Sequence, residues 1–398
     1  MSTRLNFLSR EFIEDPHPHL AELRRQGPLV QADPGGMWVV TRYDEAQYVF
    51  RSSQLFSSSQ LRLAFEPEWL GKTNPFATSL PFMDPPQHGR MRALLSQAFT
   101  PKALAPLEAR IRVLARECVS RMMREREVEF MDAFAALIPS SVMGWLLGLD
   151  ASLRGQLKRW TYDIMTIGGV LPGDTAQMEQ SRHTIDELTR YFQEVLEDRR
   201  RSPGEDMVSD LLRARVDGEA LTDEELTSVF FALLAGGLDT TTHLLGQSAR
   251  ILALHPELLS RLREDSALVP RFVEEALRYE PVGMLTLRVC LDDVTLAGVF
   301  LPKGTTVAVS MASAARDEKH FPEGDRFILE RKGSPHLSFG HGLHYCLGAV
   351  LTRMETRVAL EELVSRVSRV KLRTERIDWT QALITRGPRT LPVELFPA

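Results

Sequence analysis

A chain of 398 residues with 43% hydrophobic and 25% charged side chains has the proportions of an ordinary soluble enzyme and can enclose a sizeable ligand, which excludes a disordered or fibrous protein. A net charge of −5 without long like-charged runs gives no footprint for nucleic acid or an anionic membrane. Three scattered cysteines, Cys118, Cys290 and Cys346, exclude a disulfide framework and fit a reducing, cytoplasmic compartment.

The first dozen residues carry charges throughout, so neither a signal peptide nor a membrane anchor is expected. No linker, repeat or low-complexity tract divides the chain, and residues 1–398 are expected to form a single domain. Residues 16–26 read as a helix closed by Gly27-Pro28. Leu29-Val30-Gln31 and Met37-Trp38-Val39-Val40 then read as a hairpin around Asp33-Pro34-Gly35-Gly36. A short helix runs from Glu45 to Arg51. Residues 57–83 have little periodicity but contain Phe65, Trp69, Phe76 and Phe82. So long an irregular stretch rich in aromatics is more often a functional lid than a connector.

Asp84-Pro85-Pro86-Gln87-His88-Gly89-Arg90-Met91-Arg92 opens a helix, with proline where its missing N–H does no harm. His88 and Arg92, four apart, share a face, which on its own is ordinarily a solvated edge. Residues 101–216 read as successive amphipathic helices with breaks near Arg126, Gly148, Gly168 and Pro203, and carry almost no chemical signal.

Thr222-Asp223-Glu224-Glu225 is a capping box, stapled by Leu221 and Leu226. The helix it starts can reach His255-Pro256, about 33 residues or about 50 Å at the helical rise. Its middle, Ala235-Gly236-Gly237-Leu238-Asp239-Thr240-Thr241-Thr242, opposes helix formation: each glycine costs about 1 kcal/mol relative to alanine, and successive β-branched threonines add to that. A helix weakened at its centre marks a site rather than a scaffold. The glycines let a flat group or dioxygen lie against the backbone, and an acid followed by a hydroxyl can carry protons inward.

Glu275 and Arg278, three apart on a helix between Pro270 and Pro281, read by default as a surface pair. A strand-like run, 282–289, contains Arg288, and further strands lie in 294–309 and 370–396. Between the last two sets lies His336-Leu-Ser-Phe339-Gly340-His341-Gly342-Leu-His344-Tyr345-Cys346-Leu-Gly348. The spacing Leu347, Val350, Leu351, Met354, Val358 predicts a helix directly after it. Cys346 therefore sits near a helix N-terminus, where the dipole favours thiolate, the form that binds metals. On residue type alone it fits an inert buried cysteine as well. A zinc cluster with His336, His341 and His344 is a further alternative, weakened by the lack of a partner cluster.

The pattern Phe339-x-x-Gly342-x-His344-x-Cys346-x-Gly348 resembles the haem-binding loop of the cytochrome P450 family. Asp-Pro-Pro-x-His88-x-x-x-Arg92, Ala-Gly-Gly-x-Asp239-Thr240 and Glu275-x-x-Arg278 resemble three further motifs of that family, in family order along essentially the whole chain. The resemblance implies a mainly α fold, a helical triangular prism with a smaller β-rich lobe. It implies haem b (iron protoporphyrin IX), with Cys346 as the proximal iron ligand that favours O–O cleavage, and with Phe339 and His344 in the cofactor loop.

The same resemblance assigns His88, Arg92 and Arg288 to haem propionates, Asp239 to proton relay and Thr240 to a hydrogen bond with the dioxygen under activation. Residues 57–83 would cover substrate, with Met284, Leu285, Leu383 and Ile384 facing it. Glu275 and Arg278 would be buried and locked to Arg326 in Gly324-Asp325-Arg326-Phe327, where the family has proline in place of Gly324. The implied reaction is monooxygenation of an apolar small molecule by dioxygen. Its electrons would come from a separate ferredoxin- or flavodoxin-type partner docking near Arg90, Arg110, Arg112 and Arg353, since the chain has no flavin or iron–sulfur motif. A monomer is expected. A gas-binding haem protein and a peroxide-driven oxygenase are the alternatives; the intact Asp239-Thr240 pair argues against both.

Overall fold

The computed structural model describes residues 4–171, 173–216 and 218–398. Residues 1–3, which open the segment read as free of a leader, lie outside that description. The chain divides into two compact units, one of residues 1–57, 108–138 and 240–398, the other of 58–107 and 139–239.

The first unit holds a five-stranded sheet in the order Leu29–Ala32, Met37–Val40, Thr306–Val309, Thr286–Cys290, Phe56–Ser57. The expected hairpin pairs Leu29 with Val40 and Ala32 with Met37. Asp33 closes its turn by accepting the Gly36 N–H at 3.0 Å. Met37–Val40 then runs parallel to Thr306–Val309, which pairs antiparallel with Thr286–Cys290, the strand that carries Arg288. One face of this sheet packs Val40, Val307 and Val309 against Tyr43, Val49 and Phe50 of the helix Tyr43–Arg51. A second, three-stranded sheet joins Glu127–Glu129, Pro392–Pro397 and Val367–Leu372.

The same unit contains the helix Val269–Tyr279, whose inner face buries Phe272, Val273, Ala276 and Leu277. Glu275 and Arg278 on that face are not a surface pair: their side chains are 5% and 2% exposed. Two parallel hydrogen bonds, Nε to Oε2 at 2.8 Å and Nη2 to Oε1 at 2.7 Å, join them. Arg278 also donates to the carbonyls of Ala315, Gly324 and Arg326, which satisfies a buried guanidinium. The third residue of the lock is not the side chain of Arg326, which turns outward to Glu323. Arg331 supplies it, donating Nε to Glu275 Oε1 at 3.0 Å. Gly324 packs closely here: a Cβ would lie 3.0 Å from the Arg316 backbone and 3.1 Å from the Phe321 carbonyl, a tight fit that the chain would have to relax by a few tenths of an ångström.

In the second unit the capping box forms as read, with Thr222 Oγ1 accepting the Glu225 N–H and Glu225 accepting the Thr222 N–H. The helix it starts ends at Gly237, and a new one, Asp239–Leu254, begins after a bend at Leu238. The helix thus breaks at the point the glycines and threonines weaken. Phe230 and Phe231 of its first half pack on Phe192 of the long helix Thr175–Arg201. Among the described residues, 223–254 is the stretch long and apolar enough to cross a membrane, but most of it is buried within the fold.

Residues 58–83 contain only short helical turns, pinned by the ring cluster Phe65, Phe76 and Phe82 with centroids 5.0–5.4 Å apart. The tip of the loop at Gly168 lies so close to Ala64 that a Cβ would come within 3.1 Å of its carbonyl.

Removing one partner of a buried ion pair strands the other, at a cost of about 3–5 kcal/mol. Glu275→Ala should therefore lower the free energy of unfolding by about that much in denaturant titrations. A loss below about 1 kcal/mol would return the pair to the status of a surface contact.

Candidate active site

Cys346 sits where a tight loop meets the helix Ala349–Val364, capped by Gly348. Its N–H donates to the Phe339 carbonyl at 2.9 Å, so the intervening six residues form a closed turn. Gly342 makes the turn possible. Its φ is +67°, in the left-handed region, and a Cβ there would stand 2.7 Å from the carbonyl oxygen of Phe50. Ser338 Oγ donates to the Leu277 carbonyl at 2.7 Å, tying the loop to the helix that bears the Glu275–Arg278 lock. His344 lies in the short turn Gly342–His344, half-buried like Cys346 itself. The sulfur thus stands at a helix N-terminus, the setting that favours thiolate.

Arg353, two helical turns after the cysteine, folds back over the Phe339 ring, with its Cζ 4.5 Å from the centroid. It donates Nε and Nη2 to the two oxygens of Glu274 at 2.6 and 2.9 Å, and Nη1 to Tyr345 Oη at 3.0 Å. His336 Nε2 meets the same carboxylate at 3.2 Å. Burial opposes the charge on Glu274, but the hydrogen bonds from His336 and Arg353 outweigh it and hold the carboxyl down to about 2. Glu274 and Tyr345 carry no family motif. The one local hint is that Glu274 adjoins Glu275, since consecutive helical residues point about 100° apart and reach different partners.

His336 is thus committed to Glu274, and His341 accepts from Arg51 Nε at 2.8 Å. Among the described residues no group of three or more His, Cys, Asp and Glu side chains is placed to hold a metal ion, so the zinc alternative has no ligand set. What the loop does offer is a single sulfur donor with glycines on either side.

Thr240 stands half-buried in the first turn of Asp239–Leu254. Its neighbour Thr241 places Oγ1 3.4 Å from Thr352 Oγ1, so this turn lies against the cysteine helix. Arg288 is buried in its strand, with its Cζ 5.7 Å from the centroid of the Phe50 ring, the residue whose carbonyl abuts Gly342. The sulfur loop with its helix, Arg288 and the helical turn that holds Thr241 thus connect through packing within one unit.

In the other unit, Asp239 ends the stretch that holds Gly236 and Gly237. At Gly236 an added Cβ would meet nothing within 4 Å, so open space borders the helix where its side is bare. Within the first unit, a single sulfur donor at a helix N-terminus with glycines on either side fits the axial ligand of an iron porphyrin. His88 and Arg92 lie on the helix Gln87–Ala98. Burial, and then the Arg92 cation, push the His88 imidazole down to about 4 from its ordinary 6.5, against the opposing pull of Asp84. At neutral pH His88 is therefore a neutral ring with one N–H to give, beside a charged guanidinium, a pair suited to a carboxylate.

Arginines expected to receive a partner are engaged within the fold. Arg112 pairs with Glu361 at 2.7 Å and Glu108 at 3.2 Å, Arg353 with Glu274, and, in the other unit, Arg90 with Glu225 at 2.5 Å. Arg110 is exposed. Met284 and Leu285 are buried in a cluster with Phe7, Leu20 and Val39, against which Leu383 and Ile384 pack. The two segments are also joined through the Met284 N–H and the Ile384 carbonyl at 2.8 Å.

The family model described as Cytochrome P450 matches residues 157–383, more than half of the chain. The 6-deoxyerythronolide B hydroxylase of Saccharopolyspora erythraea is 34% identical over 99% of this chain and 100% of the relative. The erythromycin C-12 hydroxylase of the same organism is 36% identical over 94% and 93%. The solved structure of cytochrome P450 CYP109Q5 from Chondromyces apiculatus superposes with a TM-score of 0.91 at 35% identity, covering 100% of both chains.

A ring whose folded pKa lies below its unfolded one contributes stability that is complete above about 6.5 and is lost as the pH falls through about 4. Acid unfolding of cofactor-free protein, followed by circular dichroism, should therefore be shallower between these values in His88→Asn than in the parent. Parallel curves would show that His88 is not the group concerned.

Proposed function

The chain belongs to the cytochrome P450 family, and from that premise we propose how its own side chains share the work. It has the family's fold and is a haem-thiolate monooxygenase with haem b, delivering one atom of dioxygen to an apolar small molecule and releasing the other as water with two electrons and two protons. Bound haem supplies the oxygen chemistry; the protein supplies position, protons and exclusion of water.

In this reading Cys346 would give its thiolate to the iron of bound haem, and Phe339 and His344 would shape the loop around it. His88 and Arg92 would offer a propionate carboxylate a neutral N–H and a guanidinium fork, and Arg288 would offer a fork of its own. Asp239 would hold and relay a proton at its carboxyl, and the Thr240 hydroxyl would hand it on toward the dioxygen that bound haem activates. The observation that carries the reading is the closed turn from Phe339 to Cys346, which only a glycine at 342 permits. The helix break at Leu238 supports the relay, because it falls directly before Asp239 and Thr240, where the chain leaves one regular helix for the next.

The electron donor in this reading is a ferredoxin- or flavodoxin-type protein that approaches the Cys346 loop. Tyr345 and Val350 are exposed there, 38% and 40%, and provide an apolar contact, while the exposed Arg110 supplies charge. The low cysteine count and the burial of the apolar helix 223–254 support a cytoplasmic setting. The two macrolide hydroxylases stand beside related P450 structures that hold testosterone or myristic acid, so macrolide, steroid and fatty acid are the substrate classes to screen by spin-state shift.

Thr240→Ala separates the relay from the rest. The variant should bind haem and substrate as the parent does but divert most reducing equivalents to hydrogen peroxide, measured as peroxide formed per electron pair consumed. Unchanged coupling would remove Thr240 from proton delivery.

A further inference from the structure

Glu274 and Glu275 are consecutive on one helix and act in opposite directions. Glu275 turns inward to Arg278 and Arg331. Glu274 reaches the cysteine loop and gathers His336 and Arg353 around Phe339, the residue whose carbonyl holds the Cys346 N–H. Arg353 is held by two parallel hydrogen bonds while its cation lies on the Phe339 ring and its third nitrogen bonds Tyr345 Oη. His336 accepts the Ser338 N–H on Nδ1 at 3.3 Å, which leaves the proton on Nε2 for Glu274. The His336 and Tyr345 rings flank Phe339 with centroids 6.0 and 6.3 Å away.

A lone surface ion pair with this exposure, 35% and 44%, would matter little. Here the geometry is two-pronged, stacked on an aromatic face and shared with a histidine, and such arrangements hold their shape. Glu274 also leaves the charge of Arg353 balanced over the ring of Phe339, the residue whose carbonyl holds the Cys346 N–H. Local charge and hydrogen bonding around a thiolate ligand are among the quantities that set the potential of its iron.

We infer that Glu274 is a positioning residue of the sulfur site: it clamps Arg353 and His336 about Phe339 and, by balancing the arginine, sets how readily the bound iron accepts its first electron. The inference rests on the reading of Cys346 as the iron ligand. The step concerned is the one-electron reduction of ferric to ferrous iron by the donor protein, in which no bond of the protein forms or breaks.

The test is spectroelectrochemical titration of haem-loaded parent, Glu274→Gln, Arg353→Gln and the double variant, with the ferric resonance spectrum of each recorded alongside. Removing the carboxylate leaves an unbalanced cation, which favours the added electron, so Glu274→Gln should shift the potential upward. Arg353→Gln leaves an unbalanced anion and should shift it downward. The double variant should return close to the parent. A purely structural role would move both singles the same way without recovery, and that outcome, or an unmoved potential, overturns the inference. If Glu274→Gln fails to hold haem, Arg353→Gln decides alone: a downward shift supports the inference and any other result overturns it. A parent protein lacking the rhombic low-spin signal of sulfur-ligated ferric iron would overturn the sulfur reading and this inference together. The signal present with potentials unmoved overturns only the latter.

Discussion

The hydrogen bond from the Cys346 N–H to the Phe339 carbonyl is the constraint on which the rest of the site depends. It closes a turn that no chain could make with a side chain at 342, where the Phe50 carbonyl occupies the space a Cβ would need. The turn delivers a sulfur to the start of a helix, and the helix dipole and free amides there favour its charged form. Phe50 in turn belongs to the helix packed on the five-stranded sheet, and its ring lies under the Arg288 guanidinium. Sheet, sulfur loop and the expected propionate arginine are therefore one packed assembly, and a displacement in one is felt in the others.

The helix Val269–Tyr279 is the second organising element, and it works through its polar residues. Arg278 is spent entirely on Glu275 and on three backbone carbonyls of the segment that precedes the cysteine loop. Ser338 and Glu274 tie the loop itself to the same helix. Buried charges of this kind contribute little net stability compared with well-packed apolar groups. Their value here is specificity, since a guanidinium with every donor committed permits one arrangement of the chain around it.

Much of this architecture is legible in the order of the residues. The hairpin at 29–40, the capping box at Thr222 and the breaks at Arg126, Gly148, Gly168 and Pro203 are local signals, written in turn residues and periodicity, and the fold has them. The glycines and threonines of 235–242 mark a weak helix centre, and the helix does break at Leu238. What is not legible is tertiary. Arg331, rather than the side chain of Arg326, completes the lock with Glu275, because the choice depends on how residues 316–331 fold back and on a glycine at 324 packed against Arg316. Likewise Arg112 and Arg353 look like free surface cations in sequence. Only the juxtaposition of helices far apart in the chain brings Glu361 and Glu274 to them.

The account stands on thiolate sulfur at position 346 holding the iron, and the carbon monoxide spectrum of the reduced protein tests that most directly. The parent should show the strongly red-displaced Soret band that thiolate ligation produces, and Cys346→Ser should lose it while the remainder of the fold is retained. A parent spectrum without that band, or a serine variant indistinguishable from the parent, would contradict the account.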